Sequence, residues 1–235
     1  MEKKELMYEG KAKIVYKTAD EDKVIVKFKD VATAFDGKKK GEIKEKGLLN
    51  TAISAIFFEL LEEKGIPTHY LELIAADEML ARKVEIIPIE VVVRNIAAGS
   101  LVRRLGFPEG EVMEKPILEF YYKDDALGDP LMNEYHIFGK KLATAEELKI
   151  IKKMAFDINE VLLAYLKEKG IDLVDFKLEF GRDKEGRIYL ADEISPDTCR
   201  FWDSETKEVL DKDRFRKDMG KIEDAYREIL ARLQA

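Results

Sequence analysis

Apolar positions recur with two different periods along this chain, and the changes of period mark its elements. Val24, Val26 and Phe28 alternate with Ile25, Lys27 and Lys29, after a turn at Gly10 and the β-prone run Ile14-Val15-Tyr16, so the first 29 residues predict an antiparallel meander. Between Asp30 and Lys46 the pattern dissolves into a Gly/Lys-rich segment with Asp36-Gly37, equally readable as a mobile surface loop or a binding loop. Leu49, Ala52, Ile53, Ile56, Phe57, Leu60 and Leu61 then recur every three or four residues and predict a helix that stops at Gly65, ahead of Pro67. Strands are expected at 70–74, 79–84 and 89–94, and Ala97-Ala98-Gly99-Ser100 opens a short helical run toward Arg104. Residues 106–135 read as loop apart from 117–122. The clearest helix begins at a capping box of Thr144 and Glu147, carries Leu148, Ile151, Ala155, Ile158, Leu162 and Leu166 on one stripe, and ends at Gly170. Strands at 172–181 and 187–194, turned by Asp183-Lys184-Glu185-Gly186, and a helix at 222–233 complete the chain. Strands and helices do not alternate as βαβ units, which favours an α+β fold.

Composition narrows the function. The 235 residues are enough for one large or two intimate domains. With 48 acidic against 41 basic residues, a net charge of −7 argues against a protein that grips phosphate backbones through a basic face, so nucleic acid is not an expected partner. Charged residues at 38% coexist with 46% hydrophobic ones, enough for a core, and disorder is not indicated. Cys199 is the only cysteine and His69 and His136 the only histidines, so an internal disulfide and a His/Cys zinc framework are both excluded. No window approaches the ~18 apolar residues that span a bilayer. The expectation is a soluble, cytoplasmic protein with no membrane partner.

Candidate chemistry concentrates in the 172–194 hairpin. Strand parity puts Asp175, Lys177 and Glu179 on one face and Val174, Phe176, Leu178 and Phe180 on the other. If the four-residue turn closes with Arg182 opposite Arg187, Lys177 stands opposite Asp192, and Asp175, Lys177, Glu179 and Asp192 converge. A one-residue bulge would present Glu193 in place of Asp192. Three carboxylates around one lysine exceed a structural ion pair and suit a divalent cation with a phosphoryl group, although a half-exposed strand also carries such a row. Gly10-Lys11-Ala12-Lys13 could bring backbone amides and two ammonium groups to phosphate oxygens; a solvated hairpin turn is its plain alternative. Arg94 ahead of Gly99-Ser100 and Arg103-Arg104 makes a candidate monoanion site, with Arg200, after Ser195-Pro196-Asp197, as a further cation. A nucleotide-phosphate loop, a metal-binding hairpin and a separate arginine pocket outline a phosphoryl-transfer site.

These positions resemble the SAICAR synthetase family, ATP-dependent ligases of purine biosynthesis, over essentially the whole chain. The resemblance is carried by Ile86-Ile87-Pro88-Ile89-Glu90-Val91-Val92-Val93-Arg94 through Ala98-Gly99-Ser100, and by Leu173-Val174-Asp175-Phe176-Lys177-Leu178-Glu179-Phe180-Gly181. Tyr8-Glu9-Gly10-Lys11-Ala12-Lys13 and Asp192-Glu193-Ile194-Ser195-Pro196-Asp197 agree with it. It implies a two-lobed α+β fold, with an N-terminal β-rich ATP lobe (1–84) like that of protein kinases, a C-terminal substrate and metal lobe (85–235), and ATP in the cleft between. It implies that ATP, the ribonucleotide CAIR and L-aspartate yield SAICAR, ADP and phosphate through an acyl phosphate, and that the enzyme is a homodimer.

By motif, Gly10, Lys11, Ala12 and Lys13 would cradle the ATP phosphates, and Lys83 and Val84 would lie along adenine. Glu179 and Asp192 would bind Mg²⁺. Arg94, Ser100 and Arg200 would hold the ribonucleotide phosphate, and Asp175 and Lys177 its ribose and carboxylate region. Asp36, Lys123 and Asp129 would stand near the reacting groups; Phe35 occupies a position where relatives often carry glycine. A small-molecule kinase on the same lobes, or a non-catalytic nucleotide-binding module, are the alternative functional classes. A missing metal carboxylate would favour the latter, and both are present.

Overall fold

The first meander buries its third strand on both faces, through Val24, Val26 and Phe28 on one side and Ile25 on the other, while its edge strand leaves Leu6, Met7 and Tyr8 exposed. β1 (Leu6–Glu9), β2 (Lys13–Lys17) and β3 (Lys23–Phe28) pair antiparallel in sequence order. The computed structural model describes residues 2–34 and 39–235. Asp36, expected near the reacting groups, lies with Phe35 and Gly37 outside the described residues. What read as patternless from Asp30 to Lys46 contains a hairpin, β4 (Val31–Ala34) and β5 (Lys39–Glu42), held by a small core of Ala32, Ile43 and Phe215. At Gly41 a Cβ would lie 3.0 Å from the edge of the Phe215 ring, so a larger residue there would push that ring.

Asp30 then starts α1 (Lys46–Glu63) by accepting the Gly47 amide at 2.8 Å, and the apolar stripe Leu49, Ile53, Phe57 and Leu61 is buried. β6 (Tyr70–Ala75) and β7 (Glu78–Arg82) complete a five-stranded antiparallel sheet of order β1-β2-β3-β7-β6.

β8 (Glu85–Ile96), α2 (Ser100–Leu105) and β9 (Val112–Tyr122) follow, β9 starting five residues before the expected strand. After a 3₁₀ turn at Asp125–Leu127 come β10 (Leu131–Met132), α3 (Glu134–Gly139) and α4 (Ala145–Glu168). The capping box at α4 is formed: Thr144 Oγ1 accepts from the Glu147 amide and Glu147 Oε2 from the Thr144 amide. β11 (Ile171–Arg182), β12 (Ile188–Ala191) and β13 (Cys199–Asp203) join β8, β9 and β10 in a six-stranded sheet of order β10-β9-β8-β11-β12, with β13 also on β11. α5 (Asp213–Arg216) and α6 (Ile222–Gln234) close the chain. Every pair of these strands is antiparallel, in keeping with the mixed α and β content expected. One apolar core runs from Val24 and Val26 through α1 to α4 and the inner face of the six-stranded sheet. The two sheets are also stitched at the backbone, where Leu190 accepts from the His69 amide at 2.7 Å.

The β11–β12 register corrects the expected one. Arg182 pairs with Ile188 and Glu179 with Ala191, one residue away from a closure of Arg182 on Arg187. The cause is local: Asp183 Oδ1 accepts the amides of both Glu185 and Arg187 at 2.9 Å, and Gly186 takes φ +81°, so five residues turn the corner instead of four.

Candidate active site

One face of the six-stranded sheet is polar because four strands put their charged parity on the same side. Across β9, β8 and β11 run the rows Tyr121–Glu90–Glu179, Glu119–Val92–Lys177 and Ile117–Arg94–Asp175, and Arg200 on β13 extends the last. The opposite parity, with Ile89, Val91, Val93, Phe120, Phe176, Leu178 and Phe180, is buried in the core. The charges therefore stand on a rigid, apolar-backed platform, and they divide into two groups.

The first group surrounds Lys177. Its Nζ donates to Glu179 Oε1 at 2.5 Å and to Asp192 Oδ2 at 3.0 Å, and Glu90 Oε1 lies 3.3 Å away. Lys123 binds Glu179 at 2.6 Å, while Lys13 donates to Asp192 and lies 3.1 Å from Glu193. Burial alone would lower the Lys177 ammonium, but Asp192, Glu179 and Glu90 reverse this and hold it well above its ordinary value. Burial would likewise raise Asp192, and Lys13, Lys177 and Lys123 keep it well below the usual carboxylate range. Lys177 and Asp192 are thus held as a charged pair at neutral pH. Glu90 differs: burial, with Glu179 beside it, outweighs Lys177 and lifts its carboxyl.

Asp192 reaches Lys177 by a route that strand parity does not describe. In the observed register position 193 would continue the ladder opposite Lys177, whose amide instead donates to the Thr198 carbonyl at 2.9 Å. β12 stops at Ala191, and Asp192 adopts the left-handed φ of 63° that aspartate tolerates better than most residues. That turn swings its carboxylate back over the sheet and leaves Glu193 to accept from Ser195 Oγ at 2.6 Å.

Asp175 belongs to the second group, a correction to the expected four-residue convergence. Its cross-strand partners are both arginines: Arg94 NH1 donates to Oδ2 at 2.7 Å, and Arg200 NH1 to the same oxygen at 2.8 Å. Arg94 is only 3% exposed, and its remaining nitrogens are used as well, Nε by Glu119 at 2.6 Å and NH2 by Ser100 Oγ at 2.8 Å and Tyr121 Oη at 3.2 Å. Gly99 lies flat against Arg200. A Cβ there would sit 2.5 Å from NH2, and its φ of 58° with ψ −122° is a conformation that only glycine adopts easily.

The Gly10 turn closes through its own amide on the Lys13 carbonyl at 2.8 Å, with the Tyr8 ring packed on Gly10, and the Ala12 carbonyl accepts the Lys29 amide. Lys13 thereby joins the Lys177 group, whereas Lys11 points to Asp125 at 2.6 Å across to the 3₁₀ turn. Asp129, at φ 45°, folds that loop by accepting the Asp124 amide and lies near enough to Glu90 to push its carboxyl up. Lys83 and Val84 form the connection from β7 to β8, with Val84 filling the space above Gly181. Cys199 is buried and burial pushes its thiol up, so it is no poised nucleophile.

Glu90, Glu119, Tyr121 and Asp213 also belong to the site, although no motif singles them out. The first three share the strand parity of Arg94, a signal present in the sequence that needs the β8–β9 pairing to be used. Asp213 carries no such signal, because it arrives from a four-residue helix.

Among the described residues no group of three His, Cys, Asp or Glu side chains is assembled for a metal. Glu179 and Asp192, bridged by one ammonium, are instead a donor set of the kind Mg²⁺ uses when phosphates and water complete its shell.

Comparison with known proteins gives the site its context. A phosphoribosylaminoimidazole-succinocarboxamide synthase of Caldanaerobacter subterraneus subsp. tengcongensis is 61% identical over 234 residues, spanning 100% of this chain and 99% of that protein. One of the same name from Coprothermobacter proteolyticus is 61% identical over 233 residues and 99% of each chain. Among solved structures, a SAICAR synthetase (Type-2) in complex with ADP superimposes with a TM-score of 0.94 at 54% identity over 97% of each chain. The phosphoribosylaminoimidazole-succinocarboxamide synthase of Ehrlichia chaffeensis does so with a TM-score of 0.96 at 47% identity, over 98% of this chain and 99% of that one. The family model described as SAICAR synthetase matches residues 6–233, and the chain belongs to the SAICAR synthetase family.

Proposed function

We propose that this chain is a phosphoribosylaminoimidazole-succinocarboxamide synthase, the ATP-dependent ligase that joins L-aspartate to the carboxylate of CAIR in purine biosynthesis. The observation that carries the reading is the charged platform: a half-buried ammonium bridging two carboxylates, next to a pair of arginines, one of them buried, on the same sheet face. Family membership and two relatives of that name at 61% identity support it. The ADP held by a relative 54% identical supports a nucleotide co-substrate.

A carboxylate does not acylate an amine at neutral pH, so the reaction needs a better leaving group. In the proposed route a CAIR carboxylate oxygen attacks the γ-phosphorus of ATP, the bond to the β-phosphate oxygen breaks, and ADP leaves. The aspartate amine then adds to the acyl carbon, loses a proton, and expels phosphate as the amide forms. Both steps gather negative charge, and preorganised cations stabilise it without rearranging. Lys177 is assigned to the CAIR carboxylate and the transferring phosphoryl group, Asp175 to the ribose, and Arg94, Ser100 and Arg200 to the ribonucleotide phosphate. Gly10, Lys11, Ala12 and Lys13 are assigned to the ATP phosphates, Lys83 and Val84 to adenine, and Lys123, Asp129 and Asp36 to the vicinity of the reacting groups. Glu179 and Asp192 would hold Mg²⁺, which when bound offsets charge on the phosphates. The reading includes two lobes, a kinase-like N-terminal β-rich lobe (1–84) and a C-terminal α+β lobe (85–235), with the ATP cleft between them, a homodimer, and a cytoplasmic location. The two sheets, built from strands within 6–82 and 85–203, support the lobe assignment.

Phosphate release measured with ATP and Mg²⁺, adding CAIR and aspartate separately and together, tests the function. Sustained release coupled to amide formation is expected only in the full mixture. A stable phosphorylated product formed without aspartate would make the protein a small-molecule kinase instead. Glu179→Gln is expected to weaken Mg²⁺-dependent nucleotide binding roughly 10-fold or more, since even outer-shell partners of a metal contribute about 10–100-fold in affinity. Titration of Mg²⁺ at fixed ATP reads this directly, and an unaltered midpoint removes Glu179 from the metal site.

A further inference from the structure

Arg94 and Arg200 share Asp175, yet their guanidinium groups are held in different ways. Arg94 has an acceptor on every nitrogen, so its orientation is over-determined. Arg200 places NH1 on both oxygens of Asp175, at 3.0 and 2.8 Å, and a guanidinium fixed at that end alone could swivel about it. The second point is Asp213, whose Oδ2 accepts from Nε at 3.0 Å while Oδ1 lies 3.5 Å from NH2. Gly99 presses on the face of the fork. NH2 is left as the nitrogen with the weakest protein acceptor, beside Gly99.

Asp213 is suited to anchoring. It is 5% exposed at the start of α5, and its amide donates to Asp211 Oδ1 at 2.7 Å while Asp211 Oδ2 accepts from the Phe201 amide at 2.9 Å. Asp211 therefore ties α5 to β13 next to Arg200. Arg216 donates to Asp213 Oδ1 at 2.5 Å from the outer side, so the carboxylate is itself held at two points. Burial would raise the Asp213 carboxyl, but Arg200 and Arg216 bring it to about 2, and it remains an anion.

We propose that Asp213 is a positioning residue, which acts through Arg200 to aim the guanidinium NH2 at the phosphate of the ribonucleotide substrate. This rests on the assignment of Arg200 to that phosphate. Asp213 touches no reacting atom; its contribution is to ribonucleotide affinity rather than to the chemical step.

The test is steady-state kinetics on the full-length protein carrying Asp213→Asn, Arg200→Ala, or both, with thermal melting of each. Asp213→Asn is expected to raise KM for CAIR roughly 10-fold, the range of a hydrogen bond to a charged group, with kcat within about twofold of the parent. KM for ATP is expected to be unchanged. The double variant is expected to match Arg200→Ala alone, because Asp213 has no effect once its arginine is gone. If Arg200→Ala leaves KM for CAIR unchanged, the assignment of Arg200 fails. If Arg200→Ala raises it and Asp213→Asn does not, the positioning role of Asp213 fails while that assignment stands. Equal changes in kcat and in both KM values for Asp213→Asn also overturn it, as does additivity in the double variant. Should Asp213→Asn not fold, Arg216→Ala perturbs the same carboxylate from the solvent side, and a twofold or greater rise in KM for CAIR alone is expected; no change there overturns the proposal.

Discussion

Lys177→Ala is expected to lower kcat by roughly 10²–10³-fold, the effect of removing one preorganised donor from a transition state that gathers negative charge. The loss should fall on turnover more than on folding, because most of the carboxylates around Lys177 keep a second cation. Glu179 retains Lys123, and Asp192 retains Lys13. Glu90 alone loses its paired ammonium, and its carboxyl, already lifted by burial, can accept a proton rather than remain an isolated buried charge. The coupled assay gives kcat, and a thermal melt tests the accompanying claim that the fold persists. Near-normal turnover would remove Lys177 from the reacting centre.

Arg94→Ala should do more than weaken ribonucleotide binding. The sequence alone presents Arg94 as a ligand to a non-reacting phosphate, whose loss raises KM and, through remote binding energy, costs some kcat as well. In the structure the same guanidinium makes four hydrogen bonds beneath the surface, to Glu119, Asp175, Ser100 and Tyr121. Breaking a buried ion pair by removing one partner costs about 3–5 kcal/mol. The lower end applies here, since Glu119 keeps Arg104 and the Tyr121 hydroxyl, and Asp175 keeps Arg200. The variant is therefore expected to melt several degrees lower and to bind CAIR at least ~10-fold more weakly, the equivalent of one charged hydrogen bond. Denaturant unfolding and CAIR titration separate the two effects. An unchanged affinity would refute the phosphate assignment, and an unchanged stability would refute the view of Arg94 as a keystone between β9, β8 and β11.

Local patterns survived into the structure where their physical cause is local. The capping box of Thr144 and Glu147, the stripe from Leu148 to Leu166 and the helix from Leu49 to Leu61 depend on contacts within a few residues, and each is found. The parity of β11 is equally local, and it separates Lys177 and Glu179 from Phe176 and Leu178 as read. The register of β12 was not legible, since it turned on whether the Asp183 side chain would gather four residues or five. The hairpin of β4 and β5 escaped notice because its core comes from Phe215, far along the chain.

The sequence by itself determined the chemistry on offer: an acidic, cysteine-poor chain with lysines by a glycine turn, arginines around Gly99-Ser100 and alternating charges on one strand. Those properties belong to residue types and short spacings, which no tertiary contact alters. Only the tertiary structure decided which charges meet. It sent Asp175 to two arginines and away from Lys177, returned Asp192 to Lys177 through a left-handed turn, and brought Glu90, Glu119 and Asp213 into the site. The reason is that electrostatic partners are chosen by the pairing of strands distant in sequence, and that pairing is set by burying the opposite, apolar face of the sheet.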